Sequence, residues 1–274
     1  MATARYTIDL HAHSTRSDGV LAPAALVRRA AERGVKQLAL TDHDTTAGLG
    51  EAHETGAECG VEIVDGIEVS AWHGQEVHIL GYFVRRDDAR LSEVVERQRI
   101  NRLDRVQRIA ERLARLGMTI DVDAVLASAH GNVGRPHIAR ALVDAGHVPS
   151  FDAAFDRLLG KGAAAYVPAS RLTASHAVRV IHEAGGAAVL AHPGVEKIDA
   201  DLPALVDAGL DGIEVHHPAH DAGTTAKYLS MTRRMGLVAT GGSDFHRPGG
   251  HVDLGDRGVD EDALHALQAR CNRS

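Results

Sequence analysis

Short apolar strands that stop on a histidine or a carboxylate recur along this chain, and that habit constrains its fold more than any other feature. Leu38-Ala39-Leu40 runs into Thr41-Asp42-His43-Asp44, Ile63-Val64-Asp65-Gly66-Ile67 into Glu68, and Val189-Leu190-Ala191 into His192-Pro193. A buried strand end carrying an unpaired polar group is costly, so these ends need partners. Parallel strands whose C-terminal ends share one mouth would provide them. Amphipathic stretches separate the strands. Strands are expected at residues 6–10, 35–40, 61–69, 77–84, 187–191, 212–215 and 237–240. Helices are expected at 23–33, 46–59, 175–184, 202–208, 224–235 and 260–270. The alternation predicts an α/β fold, a parallel sheet covered by helices.

Residues 86–165 break the alternation with helical periodicity alone, over 91–116, 136–145 and 151–159. This predicts an all-helical insert (86–165) between two parts of an α/β domain (1–85 and 166–274). Apolar residues make up 44% of the 274 but aromatics only 3%, so Ala, Val, Leu and Gly fill the interior. A net charge of −7 argues against coating nucleic acid or an acidic membrane, while leaving room for a local phosphate pocket. Cys59 and Cys271 stand apart from ligand-like neighbours, so neither a disulfide nor a thiolate site is expected. With no leader-like start and no apolar run of roughly 18 residues, a soluble cytoplasmic protein is expected.

The polar strand ends form a constellation. In Asp9-Leu10-His11-Ala12-His13, residues i and i+2 face the same side, so both imidazoles can meet one ion. Asp18-Gly19 by itself reads as a turn. Asp42 and Asp44 can be read as caps of the helix that follows, whereas His43 has no such structural reason and reads as a ligand. Glu68 and His78 lie in β-branched runs where burial demands a partner, which a metal pair bridged by Glu68 would supply. His192, Asp244 and His246 complete the set. Oxygen and imidazole donors without thiolate suit Mn, Fe or Zn in clusters of two or three ions.

Asp9-Leu10-His11-Ala12-His13 through Asp18-Gly19, Leu40-Thr41-Asp42-His43-Asp44, Gly66-Ile67-Glu68, Val77-His78, Ala191-His192-Pro193 and Gly242-Ser243-Asp244-Phe245-His246 resemble the motifs of the PHP (polymerase and histidinol phosphatase) superfamily. The resemblance implies a distorted (β/α)7 barrel with three divalent ions, Mn foremost and Fe or Zn as alternatives. His11, His13, Glu68 and Asp244 would hold one ion. Glu68 would bridge to a second with His78 and His192, and Asp18, His43 and His246 would hold the third. The insert is similar to that of small PHP phosphoesterases that remove the 5′-phosphate of nucleotides, including 3′,5′-bisphosphates (pAp). Some of those relatives act as 5′→3′ exonucleases on short RNA.

The insert's Arg99, Arg102 and Arg105, and its Gly134-Arg135-Pro136-His137, are shared with that group. Arginines at i and i+3 lie on one helix face, and guanidinium binds phosphate bidentately. Pro136 in a first turn leaves helix amides open to an anion. Arg99, Arg102, Arg105, Arg135 and His137 are therefore candidate substrate contacts, and Arg108, Arg112 and Arg115 a solvated face. The expected chemistry is hydrolysis of a 5′-phosphate on pAp or AMP by a hydroxide bridging two metals. His43 or His246 could assist the leaving group, with no acid assigned. An exonuclease on short RNA or DNA, and a histidinol-phosphate phosphatase, are the alternatives. The expected partner is a small nucleotide or short oligonucleotide, without a stable nucleic-acid or membrane partner. His216, His217 and His220 are expected at the mouth as bystanders.

Overall fold

The computed structural model describes residues 5–169 and 172–271. Its strands are β1 (Ile8–Asp9), β2 (Gln37–Leu40), β3 (Glu62–Trp72), β4 (Glu76–Tyr82), β5 (Ala187–Leu190), β6 (Gly212–His216) and β7 (Val238–Gly241). They neighbour one another in sequential order. Past the ends of β1 and β7 the ring closes: the Leu10 N–H donates to the Gly241 carbonyl at 3.3 Å, and Ala12 bridges Phe245. The result is a seven-stranded α/β barrel.

One strand departs from the parallel expectation. β4 is antiparallel to both β3 and β5. Only His73, Gly74 and Gln75 separate β3 from β4, with Gly74 at φ +70° and the His73 N–H on the Gln75 carbonyl at 2.8 Å. A link that short makes a hairpin and cannot hold a crossover. His78 therefore lies near the start of a descending strand, not the end of an ascending one, and still reaches the same rim.

The outer layer and the intervening helices are α1 (Pro23–Arg33), α2 (Leu49–Cys59), α3 (Ala89–Arg115), α4 (Val122–Ser128), α5 (Arg135–Asp144), α6 (Phe151–Ala154), α7 (Ala174–Glu183), α8 (Pro193–Glu196), α9 (Leu202–Asp207), α10 (Ala222–Met235) and α11 (Glu261–Gln268). Helix α1 buries Leu26, Val27 and Ala30, and α7 buries Ala177, Val178 and Ile181. Helix α2 begins three residues later than its periodicity predicts, after a turn through Thr46–Leu49. Small residues permit the close helix–sheet packing that an aromatic-poor interior requires: a Cβ on Gly56 would stand 2.4 Å from the Val61 carbonyl oxygen.

Between β4 and α7 the described residues form helices and no strand. They have a core of their own around Val106, Ile109, Leu113, Ile138, Leu142 and Leu158. Helix α3 serves both bodies, because Leu91 packs into the outer core of the barrel with Ile181 and Val178. Among the described residues no helix is long and apolar enough to cross a membrane.

Candidate metal centre

Past β1 the chain runs irregularly through His11 and His13, and Asp9 anchors it. The buried Asp9 carboxylate accepts backbone N–H groups from His11 at 3.2 Å, Ser243 at 2.9 Å and Gly255 at 2.8 Å. This ties the chain after β1 to the chain after β7. Their approach is so close that a Cβ on Gly242 would lie 2.3 Å from the His11 nitrogen. Asp244 consequently stands 3.4 Å from His11 Nε2 and 3.3 Å from His13 Nε2. Asp44, His192 and Asp244 all adopt positive φ (52°, 24° and 50°), strain of the kind that surrounding structure maintains at functional sites.

Glu68, buried in β3, stands at the centre. Its Oε2 lies 3.2 Å from His11 Nε2, His13 Nε2 and His43 Nδ1. Its Oε1 lies 3.1 Å from His78 Nδ1 and His192 Nε2. Asp18 extends the cluster, 3.3 Å from His246 Nε2, 3.7 Å from His13 Nδ1 and 3.8 Å from His43 Nε2. All nine predicted ligands thus sit in one connected group. Ligand atoms within 4.8 Å of one another form three sets: His13, Asp18, His43 and His246; His11, His13 and Glu68; and His43, Glu68 and His78. Two of these sets share His13 and two share His43, an overlap that the sequence-based assignment does not contain.

The donor set fits divalent cations. His11 Nε2 and His13 Nε2 face each other at 3.1 Å while both address the same carboxylate oxygen, a crowding that protons alone satisfy poorly. Buried His43 Nδ1 has no hydrogen-bond partner. Burial pushes the His43 pKa down to about 3 against the pull of Glu68 and Asp18, which keeps the imidazole neutral and able to ligate. Burial also lowers the His13 pKa, yet hydrogen bonds to Asp244 and Glu68 raise it to about 10: the surrounding carboxylates demand positive charge. Burial works against ionised Glu68 and Asp18, but neighbouring histidines hold both well below the usual carboxylate range. Ionised carboxylates with deprotonated imidazoles are what hard and borderline cations select.

Sequence reasoning passed over Glu214. Fully buried in β6, its Oε1 accepts from His11 Nδ1 at 2.8 Å and its Oε2 from the His192 N–H at 2.8 Å, fixing two ligands at once. The signal was present: Gly212-Ile213-Glu214-Val215 buries a carboxylate in an apolar strand, as the Glu68 segment does. His217, expected as a bystander at the mouth, lies 3.2 Å from Asp244 Oδ2. His220 is structural, between the Val215 carbonyl at 2.9 Å and the Gly194 N–H at 3.1 Å. The capping reading of Asp42 and Asp44 is wrong, since α2 has Gly48 at its N-cap and no side-chain cap. Asp42 instead accepts from Ser14 (N–H at 2.8 Å, hydroxyl at 2.6 Å) and Ser17 (2.6 Å), shaping the loop that carries Asp18.

The arginines divide. Arg99 is exposed and paired with Glu96 at 2.8 Å, so it joins the solvated face. Arg102 is half-buried against Asp44 at 2.6 Å and donates to the Ser70 hydroxyl at 2.9 Å. Arg105 and Arg135 both hold Glu76, at 3.1 and 3.2 Å. His137 is buried with its Nδ1 accepting the Gly134 N–H at 3.1 Å; it closes the first turn of α5.

The model of the PHP domain family matches residues 9–149. A 5′-3′ exoribonuclease of Haemophilus influenzae is 39% identical over 260 residues, 90% of this chain and 92% of that protein. A phosphoribosyl 1,2-cyclic phosphate 1,2-diphosphodiesterase of Eggerthella lenta is 39% identical over 89% of this chain and 95% of its own length. A 3′,5′-nucleoside bisphosphate phosphatase of Chromobacterium violaceum is 37% identical over 90% of each. Among solved structures, a Chromobacterium violaceum protein described as an amidohydrolase, with sulfate bound and no metal, superposes with a TM-score of 0.88 at 35% identity, covering 97% of this chain and 98% of that one. A barrel rim that gathers imidazoles and carboxylates around Glu68, and whole-length likeness to these proteins, have one common account: the chain belongs to the PHP domain family, as a metal-dependent phosphoesterase.

Proposed function

We propose that this phosphoesterase removes the 5′-phosphate from nucleotides, 3′,5′-bisphosphates (pAp) or AMP, at a centre of three divalent ions with Mn as the preferred metal. The observation that carries the reading is the contiguous cluster around Glu68, large enough to divide its donors among more than one ion. His11, His13, Glu68 and Asp244 would hold the first, Glu68, His78 and His192 the second, and Asp18, His43 and His246 the third. Ions held there supply a Lewis acid for the phosphoryl oxygens and acidify water toward neutral pH.

Residues 86–165 would act as a cap on a barrel formed by 1–85 and 166–274. Support for anion binding comes from Arg105 and Arg135, two guanidinium groups against the single carboxylate of Glu76, which leaves one positive charge uncompensated beside the mouth. Arg102 and Arg135 are the proposed phosphate contacts on this edge. No protein acid is assigned, because His43 and His246 both belong to the donor set with His13 and Asp18, and ligation would occupy one ring nitrogen of each.

A second reading, 5′→3′ exonuclease action on short RNA, is supported by the Haemophilus influenzae relative. A cavity of about 540 Å³ lined by Trp72, Asn101, Asp104, Arg105 and Arg108 lies along α3, with none of the cluster's ligands in its wall, and could take the chain beyond a terminal nucleotide. The test is phosphate and nucleotide release from pAp, AMP, phosphoribosyl cyclic phosphate and 5′-phosphorylated short RNA, with Mn-loaded and chelator-treated protein side by side. Metal-dependent phosphate release from pAp or AMP is expected. Mononucleotide release from RNA, with pAp and AMP untouched, would replace the first reading by the second. No metal-dependent turnover of any of them would refute both.

A further inference from the structure

Residues 131–140, at the edge of the helical segment, touch the two loops that carry Asp18 and His43, and the proposed chemistry uses only Arg135 among them. Asn132 is buried. Its side-chain amide donates both protons to consecutive carbonyls, His43 at 2.9 Å and Asp44 at 2.8 Å. The left-handed turn at Asp44 (φ 52°) is what brings both carbonyls to one nitrogen. That turn is strained for a residue with a side chain. The Asp44 N–H on the Glu68 carbonyl at 2.9 Å and the Asp44 carboxylate on the Ser70 N–H at 2.7 Å hold it from the barrel side. Asn132 holds it from the other.

The same edge reaches the Asp18 loop. The Asn132 backbone N–H donates to the Arg16 carbonyl at 2.8 Å, and Arg140 donates to the Asp18 carbonyl at 3.1 Å. Gly131 presses so close that a Cβ would meet the Arg16 oxygen at 2.0 Å. Asp18 and His43 are two members of the set His13, Asp18, His43 and His246. The other two, His13 and His246, are delivered by the barrel.

We infer that Asn132 is a positioning residue through which the helical segment completes one metal position, the one bounded by His13, Asp18, His43 and His246, by holding His43 and its left-handed neighbour in ligating orientation. The inference rests on the metal-binding reading of the cluster and is independent of which phosphate ester is cleaved. The set His11, His13 and Glu68 does not contain His43, so an ion held there should be indifferent to Asn132.

The full chain, stripped by chelator, is titrated with Mn²⁺ while free Mn²⁺ is read by electron paramagnetic resonance and bound metal by elemental analysis after gel filtration. Asn132→Asp keeps the shape and removes both donors; Asn132→Ala removes both shape and donors. Binding at the position that includes His43 should weaken about 10–100-fold in both variants, the position bounded by His11, His13 and Glu68 moving by less than about twofold. Gly131→Ala, which pushes on the Asp18 loop, should weaken the same position. Circular dichroism and a cooperative melt establish that each variant is folded. An Asp variant whose isotherm superimposes on wild type overturns the inference, as does parallel weakening of every class. A wild-type chain that binds no Mn²⁺ sinks the metal reading itself, a distinct outcome.

Discussion

Glu76→Gln probes the contact between the β3–β4 hairpin and the helical segment. The Glu76 carboxylate receives Arg105 at 3.1 and 3.3 Å, Arg135 at 3.2 Å and the Tyr166 hydroxyl at 3.4 Å, with its side chain only 14% exposed. Burial raises its pKa, but Arg105 and Arg135 outweigh burial and bring it from 4.5 to about 2. At about 1.36 kcal/mol per pH unit this displacement corresponds to ~3 kcal/mol at neutral pH. Removing one partner of a buried ion pair costs about 3–5 kcal/mol by independent measure, because the surviving charges lose their counter-ion. At roughly 2–4 °C per kcal/mol for a chain of this size, the variant should melt ~6–12 °C lower at pH 7.

The pH dependence gives the sharper check. A carboxylate whose folded pKa is depressed contributes fully above its unfolded value and loses that contribution as pH falls toward the folded one. The gap between wild type and Glu76→Gln should therefore be constant from pH 7 to about 5 and close between 4.5 and about 2. Thermal melts of chelator-treated protein followed by circular dichroism measure it. A gap below ~1 °C at pH 7, or one that ignores pH across that window, would refute the reasoning.

Three further outcomes are expected. Glu214→Ala should lower metal affinity about 10–100-fold by freeing the His11 ring and the His192 backbone; unchanged metal content in elemental analysis would show that Glu214 orients neither. Gly242→Ala should cost about 1–3 kcal/mol in urea unfolding, the added methyl having no room beside His11, and a variant as stable as wild type would contradict the close approach of the two chain segments. Arg99→Ala should leave melting temperature and KM for pAp unchanged, since its side chain faces solvent; a KM rise of about tenfold would return Arg99 to the substrate site.

Local chemistry made much of this protein readable. Alternating short strands and amphipathic helices dictated an α/β fold with a helix-covered sheet, because each strand must bury two faces and each helix one; the barrel followed from the family resemblance. Glu68, His43 and His192 were legible as ligands because a lone polar group at the end of an apolar strand has no inexpensive structural explanation. The same logic applied to Glu214 would have found it. It failed for Asp42 and Asp44, where a capping role accounted for the residues locally and hid their distant partners, Ser14 and Arg102.

What remained for the tertiary structure was pairing. The strand pattern could not say that β4 runs backwards, since direction follows from the length of the link after Trp72 and not from the apolar pattern of the strand. Arginine spacing placed Arg102 and Arg105 on one face of α3, but only the fold brought Asp44 and Glu76 to meet them and turned Arg99 to solvent. Periodicity reports which way a side chain points from its own backbone; which charge waits opposite is set by elements far away in the chain. The ligand types were therefore written in the sequence, while their division into overlapping groups, and the grip of Asn132 on the His43 loop, exist only once the barrel closes.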